Sequence, residues 1–493
     1  MFSVTTPIYY VNDEPHLGHA YCTILADVLA RYHRLCGEPV FFLTGVDEHG
    51  QKVQNAVKKH GINDPQDYVD EMAARFERTW EKLAISYDDF IRTTEPRHAR
   101  VVQTVLQRLW DDGQIYRGEY EGWYCVPDER FWTEKDLKEG SLCPDCGRPV
   151  ERITEYNYFF RMSQYQDWLI AYIQDHPGFI QPEYRRNEVL GFLRKPLGDL
   201  CISRPVSRLN WGIPLPFDPQ YVTYVWFDAL LNYVTAQGYL QDEARFEAQW
   251  THTLHLIGKD ILTTHAVYWP TMLQAIGLPL PKTIFATGWW VIGGAKMSKS
   301  LGNVVRPLDL ADVYGVDAFR YFLLRDMVLG QDADFDPERV ASRYTVDLAN
   351  NLGNLLQRVT SMAARYCEGV LPAAFENPNA EDKELRSQID GLADRVFARV
   401  KAYQINEALA LCTDTLTAAN GYLERTAPWK LYKAGDSARV GVVLANAAEV
   451  LRQAALLLSP VMPGKCAEVQ RRLEIPIRPG APIFPRVEVE PSL

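Results

Sequence analysis

Cysteine is what this sequence lacks in any dense arrangement: nine are scattered through 493 residues, at positions 22, 36, 125, 143, 146, 201, 367, 412 and 466. That spacing excludes a disulfide scaffold and fits a reducing compartment, so a cytoplasmic protein is expected. Positive charge is also short. Lys plus Arg number 52 against 63 Asp plus Glu, a formal net charge of −11, so bulk electrostatics repel nucleic acid and any RNA site must be a local patch. The opening residues, MFSVTTPIYYVN, lack the basic stretch and apolar core of a secretion signal, and no later apolar run reads as long enough to span a bilayer. A soluble protein with no membrane partner is the expectation. Neither G-x-G-x-x-G nor G-x-x-x-x-G-K-[ST] occurs, which removes the usual dinucleotide and Walker-type signatures.

What is present is enough for several packed domains. The length exceeds what one hydrophobic core usually spans, and 47% hydrophobic with 23% charged residues is the balance of a folded globular chain. Residues 3–10 read as a strand, followed by a loop through Asn12, Asp13 and Pro15 and then a helix. Leu25, Val28, Leu29 and Tyr32 share one face of that helix, and the apolar run 40–46 suits a buried parallel strand ending in Asp47 and Glu48. This is a βαβ unit. From 114 to about 222 the texture changes to short segments rich in aromatics, Gly and Pro, with strand-like runs at 221–226, 254–257 and 283–287. After a Gly- and Lys-rich loop at 293–303 the pattern becomes helical, with one stripe at Leu348, Leu352, Leu355, Leu356, Val359 and Met362 and another at 442–458. The tail after Pro479 reads as extended. The division expected is 1–113 and 223–290 for the two halves of an α/β domain, 114–222 for an insertion, 291–340 for a loop and linker, and 341–493 for a helical bundle.

Two short motifs suggest phosphate chemistry. His16-Leu17-Gly18-His19 stands where the first strand hands over to the first helix, and helix-start amides favour anions there while Gly18 permits close approach. Two imidazoles flanking that glycine can donate to phosphate oxygens as charge builds during displacement at phosphorus. Taken alone, the same histidines could be ordinary helix-start residues. Lys296-Met297-Ser298-Lys299-Ser300 lies between Gly293-Gly294 and Gly302, which reads as a mobile loop whose lysines neutralise a triphosphate.

In this order, on either side of one α/β domain, the two motifs resemble the signatures of the class I aminoacyl-tRNA synthetases. The resemblance narrows to the methionyl enzymes and runs over essentially the whole chain: 5–10 (TTPIYY), 45–50 (GVDEHG), 224–229 (YVWFDA) and 255–260 (HLIGKD) all match. It implies a Rossmann-like catalytic domain with an inserted connective domain, followed by an α-helical bundle that binds the anticodon. It further implies activation of methionine with ATP and Mg2+, then transfer to tRNA(Met). By that likeness His16, His19, Lys296 and Lys299 act on the phosphates, and Gly18, Lys259 and Ser298 join them in holding ATP. Asp47, at a strand end, would take the α-ammonium, and a thioether wants an apolar, aromatic-lined pocket. Ile8, Tyr10, Trp226, Ala229, Tyr233, Ile261 and His265 would line it, with Leu230 where some members carry proline.

Cys125-x-x-Asp128 and Cys143-x-x-Cys146 have the spacing of a zinc knuckle with Asp in one place. Asp can bind zinc, so a structural Cys3Asp site and a site that has lost its metal are both open readings. No open ligand set for a catalytic metal is visible. In the bundle, Asn354 and Arg358 share a helical face, and Trp429 follows Ala427-Pro428 at a turn. A polar side chain reading a base edge and an aromatic stacking on an unstacked base is how RNA loops are recognised, and these positions match the family's anticodon readers. Other readings are a different class I enzyme such as the cysteinyl one, a non-catalytic tRNA-binding relative, and a small nucleotidyltransferase. The inserted stretch is too short for an editing domain, and 5–10 contains no cysteine. The end near residue 493 leaves no appended tRNA-binding module, so dimerisation through one is not indicated.

Overall fold

The computed structural model describes residues 1–127, 130–132, 134–296 and 305–487. They form two compact units, each discontinuous in sequence. The first comprises Met1–Pro15, Glu38–Arg78 and Ser86–Thr287; the second comprises His16–Gly37, Thr79–Ile85 and Gly288–Leu493.

The first unit is built on a parallel sheet. Its strands are β1 (Phe2–Thr5), β2 (Tyr9–Tyr10), β3 (Val40–Asp47), β4 (Asp89–Arg92), β5 (Ile180–Gln181), β6 (Thr253–Gly258) and β7 (Thr283–Thr287). The order is β2-β3-β1-β6-β7-β5, with β4 also paired to β3. From β1 the chain moves outward to β3 and β4 on one side, then to β6 and β7 on the other. That reversal puts the switch point between β1 and β6, where open α/β sheets bind ligands beyond the carboxyl ends of their strands. Thr5 is in register with His255 across that boundary. Gly45 in β3 is required by close packing, because a Cβ there would lie 2.1 Å from the carbonyl oxygen of Ile91 in β4.

The expected strands at 40–46, 254–257 and 283–287 are all present. Two features differ. The run at 221–226 divides, with Asp218–Thr223 extended and Val225–Ala229 helical, so Trp226 sits on a short helix. Ile180–Gln181, inside the stretch read as an insertion, adds itself to the parallel sheet beside β7. The remainder of that stretch carries a separate antiparallel sheet dominated by Ile115–Cys125 against Glu151–Phe160.

The second unit contains the helix Leu17–Leu35, a small sheet around Trp290–Ile292, and the C-terminal helices. The helix Leu17–Leu35 is buried on more than the single expected face: Leu17, Ala20, Tyr21, Ile24, Ala26 and Ala30 join Leu25, Val28, Leu29 and Tyr32. The bundle stripe is confirmed at Leu348, Leu352, Leu355, Leu356 and Val359, all buried, while Met362 is half-buried. Gly293 and Gly294 do not flank an open loop at that end. Both have positive φ, 57° and 75°, and they make a two-residue hairpin turn joining Trp290–Ile292 to Ala295–Lys296. One expectation fails: the 22-residue helix Ser437–Leu458 is long and apolar enough to cross a membrane, yet 72% of its apolar window is buried inside the protein, as in a core helix.

Candidate active site

In the first unit several residues expected on the amino-acid side lie at or just beyond strand carboxyl ends: Tyr10 ends β2, Asp47 ends β3 and Ile261 follows β6. Tyr10 pairs with Asp47 across β2 and β3, and the Val11 amide donates to the Asp47 carbonyl at 3.3 Å. The Asp47 side chain is buried, 3% exposed. Beyond it the chain is clamped. Trp211 Nε1 donates to the Glu48 carbonyl at 2.5 Å, the Gly50 amide donates to the Trp211 carbonyl at 3.3 Å, and the Trp211 ring meets His49 edge-on. The Glu48 carboxylate is fully buried and accepts from Arg92 Nε at 2.7 Å and from the Thr94 hydroxyl. Burial pushes its carboxyl up, against the pull of Thr94 and Arg92.

Tyr233, His265 and Ile261 form one connected group. The His265 Nδ1–H donates to the Ile261 carbonyl at 2.9 Å, which fixes the tautomer and leaves Nε2 to accept the Tyr233 hydroxyl at 2.8 Å. Burial holds the His265 imidazole down to about 4, against the smaller influences of the Ile261 carbonyl and Asp260, so the ring is neutral at pH 7. Tyr233 also packs on His255, at 4.2 Å between ring centroids. His255 is held neutral by burial, with the Thr5 hydroxyl at 2.7 Å on one ring nitrogen and Trp269 Nε1 donating at 3.1 Å to the other. Ile8, Trp226 and Ile261 are half-buried against the same apolar core as Tyr233, whereas Ala229 is buried. The Leu230 amide donates to the Trp226 carbonyl at 3.2 Å, a bond that proline would forgo. Lys259 opens the 3-10 turn Lys259–Ile261 immediately after β6.

The sequence reading missed a buried bridge here. Asp228 accepts from His49 Nδ1 and from His98 Nε2, both at 2.7 Å. The signal was a lone acid inside the apolar run 224–234.

In the second unit His16 caps the helix Leu17–Leu35. Its Nδ1 accepts from the Gly18 amide at 3.1 Å, and His19 Nδ1 faces the His16 amide at 3.4 Å. With Nδ1 accepting, the proton of each neutral ring sits on Nε2, the tautomer that can donate to a phosphate oxygen. The two rings stack at 3.6 Å between centroids, and burial, with His16 adding to it, holds His19 well below the ordinary histidine range. The Leu17 amide donates to the carbonyl of Val305 at 3.3 Å, so the chain leaving the lysine motif returns beside this helix start. Ser298 and Lys299 lie outside the described residues, and Lys296 ends the strand Ala295–Lys296.

Cys125, Cys143 and Cys146 converge, with their sulfur atoms within 4.8 Å of one another and the Cys125 and Cys146 sulfurs 3.5 Å apart. Thiolates around a tetrahedral zinc at about 2.3 Å would stand roughly 3.8 Å apart, so the three sulfurs fit that ion. Asp128 lies outside the described residues. In the bundle, the Arg358 guanidinium lies over the Trp429 ring, 5.5 Å from its centroid, and pairs with Glu424 at 2.8 Å. Asn354 Nδ2 donates to Asn420 at 3.4 Å.

The family described as tRNA synthetases class I (M) matches residues 2–360. Methionine–tRNA ligases of Caldanaerobacter subterraneus subsp. tengcongensis and Thermotoga maritima are each 46% identical to the chain. The first match spans 100% of this chain and 80% of the relative, the second 97% and 76%. Among solved structures, Mycobacterium tuberculosis methionyl-tRNA synthetase bound by methionyl-adenylate superposes with a TM-score of 0.92 at 40% identity, covering 98% of this chain and all of that one. The free-state structure of that enzyme gives 0.86 at 38% identity. With the family matched over residues 2–360 and such relatives similar over 97–100% of this sequence, the chain belongs to the methionyl family of class I aminoacyl-tRNA synthetases.

Proposed function

We propose that the chain activates methionine with ATP and transfers it to tRNA(Met) in the cytoplasm. The single observation that carries this is that one unit holds both a buried, strand-end Asp47 and a Tyr233–His265 hydrogen bond whose imidazole is neutral. A carboxylate answers an ammonium, and a largely apolar wall bearing one neutral polar pair answers a thioether. The His265 ring carries no charge at pH 7, so a cationic or anionic side chain finds no counter-charge there.

Chemistry follows in two displacements. A methionine carboxylate oxygen attacks the α-phosphorus of ATP, the bond to the bridging oxygen breaks, and pyrophosphate leaves with that electron pair. A ribose hydroxyl of the terminal tRNA adenosine then attacks the acyl carbon of the adenylate, the bond from that carbon to the phosphate oxygen breaks, and AMP leaves with the electron pair while the hydroxyl proton passes to the released phosphate or to water. His16 and His19, each with its proton on Nε2, donate to the oxygens of the pentavalent phosphorus, while Lys296 and Lys299 offset the growing negative charge on the leaving group. Gly18, Ser298 and Lys259 complete the nucleotide's contacts, and Ile8, Tyr10, Trp226, Ala229 and Ile261 enclose the methionine side chain. Magnesium carried with ATP spreads the charge of the triphosphate. Cys125, Cys143 and Cys146, with Asp128, would hold a zinc whose role is to fold the inserted segment. Arg358 and Trp429 supply a stacked cation and ring for anticodon bases, with Asn354 one turn earlier.

Pyrophosphate exchange with each amino acid in turn is the test. Methionine is expected to drive exchange well above all others; a different best substrate, or none, overturns the proposal.

A further inference from the structure

Asp228 ties three separated pieces of chain together in the first unit. His49 lies two residues beyond Asp47, on the turn that ends β3. His98 lies in the first turn of the helix Pro96–Asp111. Asp228 itself stands on the helix Val225–Ala229, between Trp226 and Ala229. Both carboxylate oxygens are used, one per imidazole, at 2.7 Å each, and Asp228 and His98 are completely buried. His98 Nδ1 continues the chain of bonds to the Thr235 hydroxyl at 3.3 Å, on the helix Asn232–Gln237 that carries Tyr233. Burial alone would push the Asp228 carboxyl up, but the two histidines more than offset it and bring it down to about 2, so the carboxylate stays ionised.

We propose that Asp228 is a positioning residue that fixes the separation between the Asp47 carboxylate and the pocket wall bearing Trp226, Ala229 and Tyr233, and so sets the side-chain length that the site accepts. This rests on the reading that Asp47 holds the ammonium and that wall holds the thioether. An amino acid anchored at both ends is measured by the distance between its anchors. Discrimination of one methylene amounts to only about 10–200-fold, so a looser anchor erases it. A rigid two-sided bond through a buried carboxylate supplies stiffness that apolar packing alone does not, because hydrogen bonds fix direction as well as distance.

The test uses the full chain and compares methionine with ethionine, one methylene longer, in pyrophosphate exchange. Asp228→Asn keeps the shape but removes the charge and turns one acceptor into a donor. The expected result is a rise in KM for methionine with KM for ATP unchanged, and about a tenfold fall in the methionine-to-ethionine ratio of kcat/KM. His98→Gln, which leaves the His49 bond in place, is expected to move the ratio the same way by less, and decides the matter alone if Asp228→Asn does not fold. Equal losses for both amino acids, with the ratio kept, would overturn the proposal and leave Asp228 a structural residue. Failure of the substrate reading shows separately, as wild-type protein that does not exchange with methionine.

Discussion

At the residue scale the site separates charge work from shape work. Asp47, the buried carboxylate that ends β3, is assigned to the ammonium, and Asp47→Ala is expected to abolish methionine-dependent exchange while leaving far-ultraviolet circular dichroism unchanged; full exchange in that variant removes it from the site. His16→Ala and His19→Ala are expected each to lower kcat by about a hundredfold or more, the cost of losing a preorganised donor. His265 gives a pH prediction. Its imidazole titrates near 4 in the folded chain, against about 6.5 unfolded, so below pH 6.5 the unfolded chain binds the extra proton. The stability this buried neutral ring permits is therefore complete above pH 6.5 and is lost as pH falls toward 4, by on the order of 3 kcal/mol. His265→Gln should flatten that part of the profile in urea unfolding between pH 7.5 and 4.5, and parallel profiles would show that another group governs it. The motifs carrying these residues were legible because each is contiguous: HLGH, GVDEHG and YVWFDA need no tertiary contact to be read. The bridge of His49, His98 and Asp228 was not, since 130 and 179 residues separate its partners and only folding joins them.

At the element scale, periodicity identified the long strands and helices because their apolar faces repeat, and it failed where an element is short. The run 221–226 is apolar but for Thr223, a pattern that cannot distinguish a strand from the first turn of a helix. Gly293-Gly294 looked like a loop hinge, yet two consecutive positive-φ residues are also the signature of a tight hairpin. The knuckle was read from the spacing of Cys125-x-x-Asp128 and Cys143-x-x-Cys146, and its three sulfurs do converge. Protein expressed in zinc-replete medium is expected to carry about one zinc per chain by elemental analysis, and stripping it with a chelator should unfold the inserted segment first, seen as protease cleavage near residues 125–146. Substoichiometric metal would count against a zinc site. In the bundle, Trp429 is half-buried beneath Arg358, at the start of the helix Pro428–Lys433. Trp429→Ala is expected to cut tRNA aminoacylation at least tenfold while sparing pyrophosphate exchange, since base–aromatic stacking contributes about 1–3 kcal/mol. Equal losses in both assays would make that ring structural.

At the scale of the whole molecule, the second unit has to hold three chain segments that are not contiguous, and one arginine bonds to all of them. Arg320 is completely buried. It donates to the Asp27 carboxylate at 2.6 Å in His16–Gly37, to the Leu83 carbonyl at 3.0 Å in Thr79–Ile85, and to the carbonyls of Pro460 and Val461 at 3.0 and 2.8 Å in Gly288–Leu493. Asp27 accepts in turn from Arg31 Nε at 2.7 Å, and Arg31 donates to the Ala84 carbonyl at 2.8 Å. Each partner announces itself in sequence as a charge inside an apolar stretch, ILADVLA and AFRYFLL, although nothing local says that the two meet. Such a pair adds little net stability relative to apolar residues of the same size, because both ions are desolvated, but removing one member strands the other. Arg320→Met should therefore destabilise the protein by about 3–5 kcal/mol, read as a lower urea midpoint. It should also depress pyrophosphate exchange, since Asp27 shares a helix with His19. The double variant Asp27→Leu with Arg320→Met removes both charges of the buried pair and is expected to recover most of the midpoint. If the double variant is as unstable as the single, the five bonds from one guanidinium, rather than the avoidance of a stranded carboxylate, hold the three segments together.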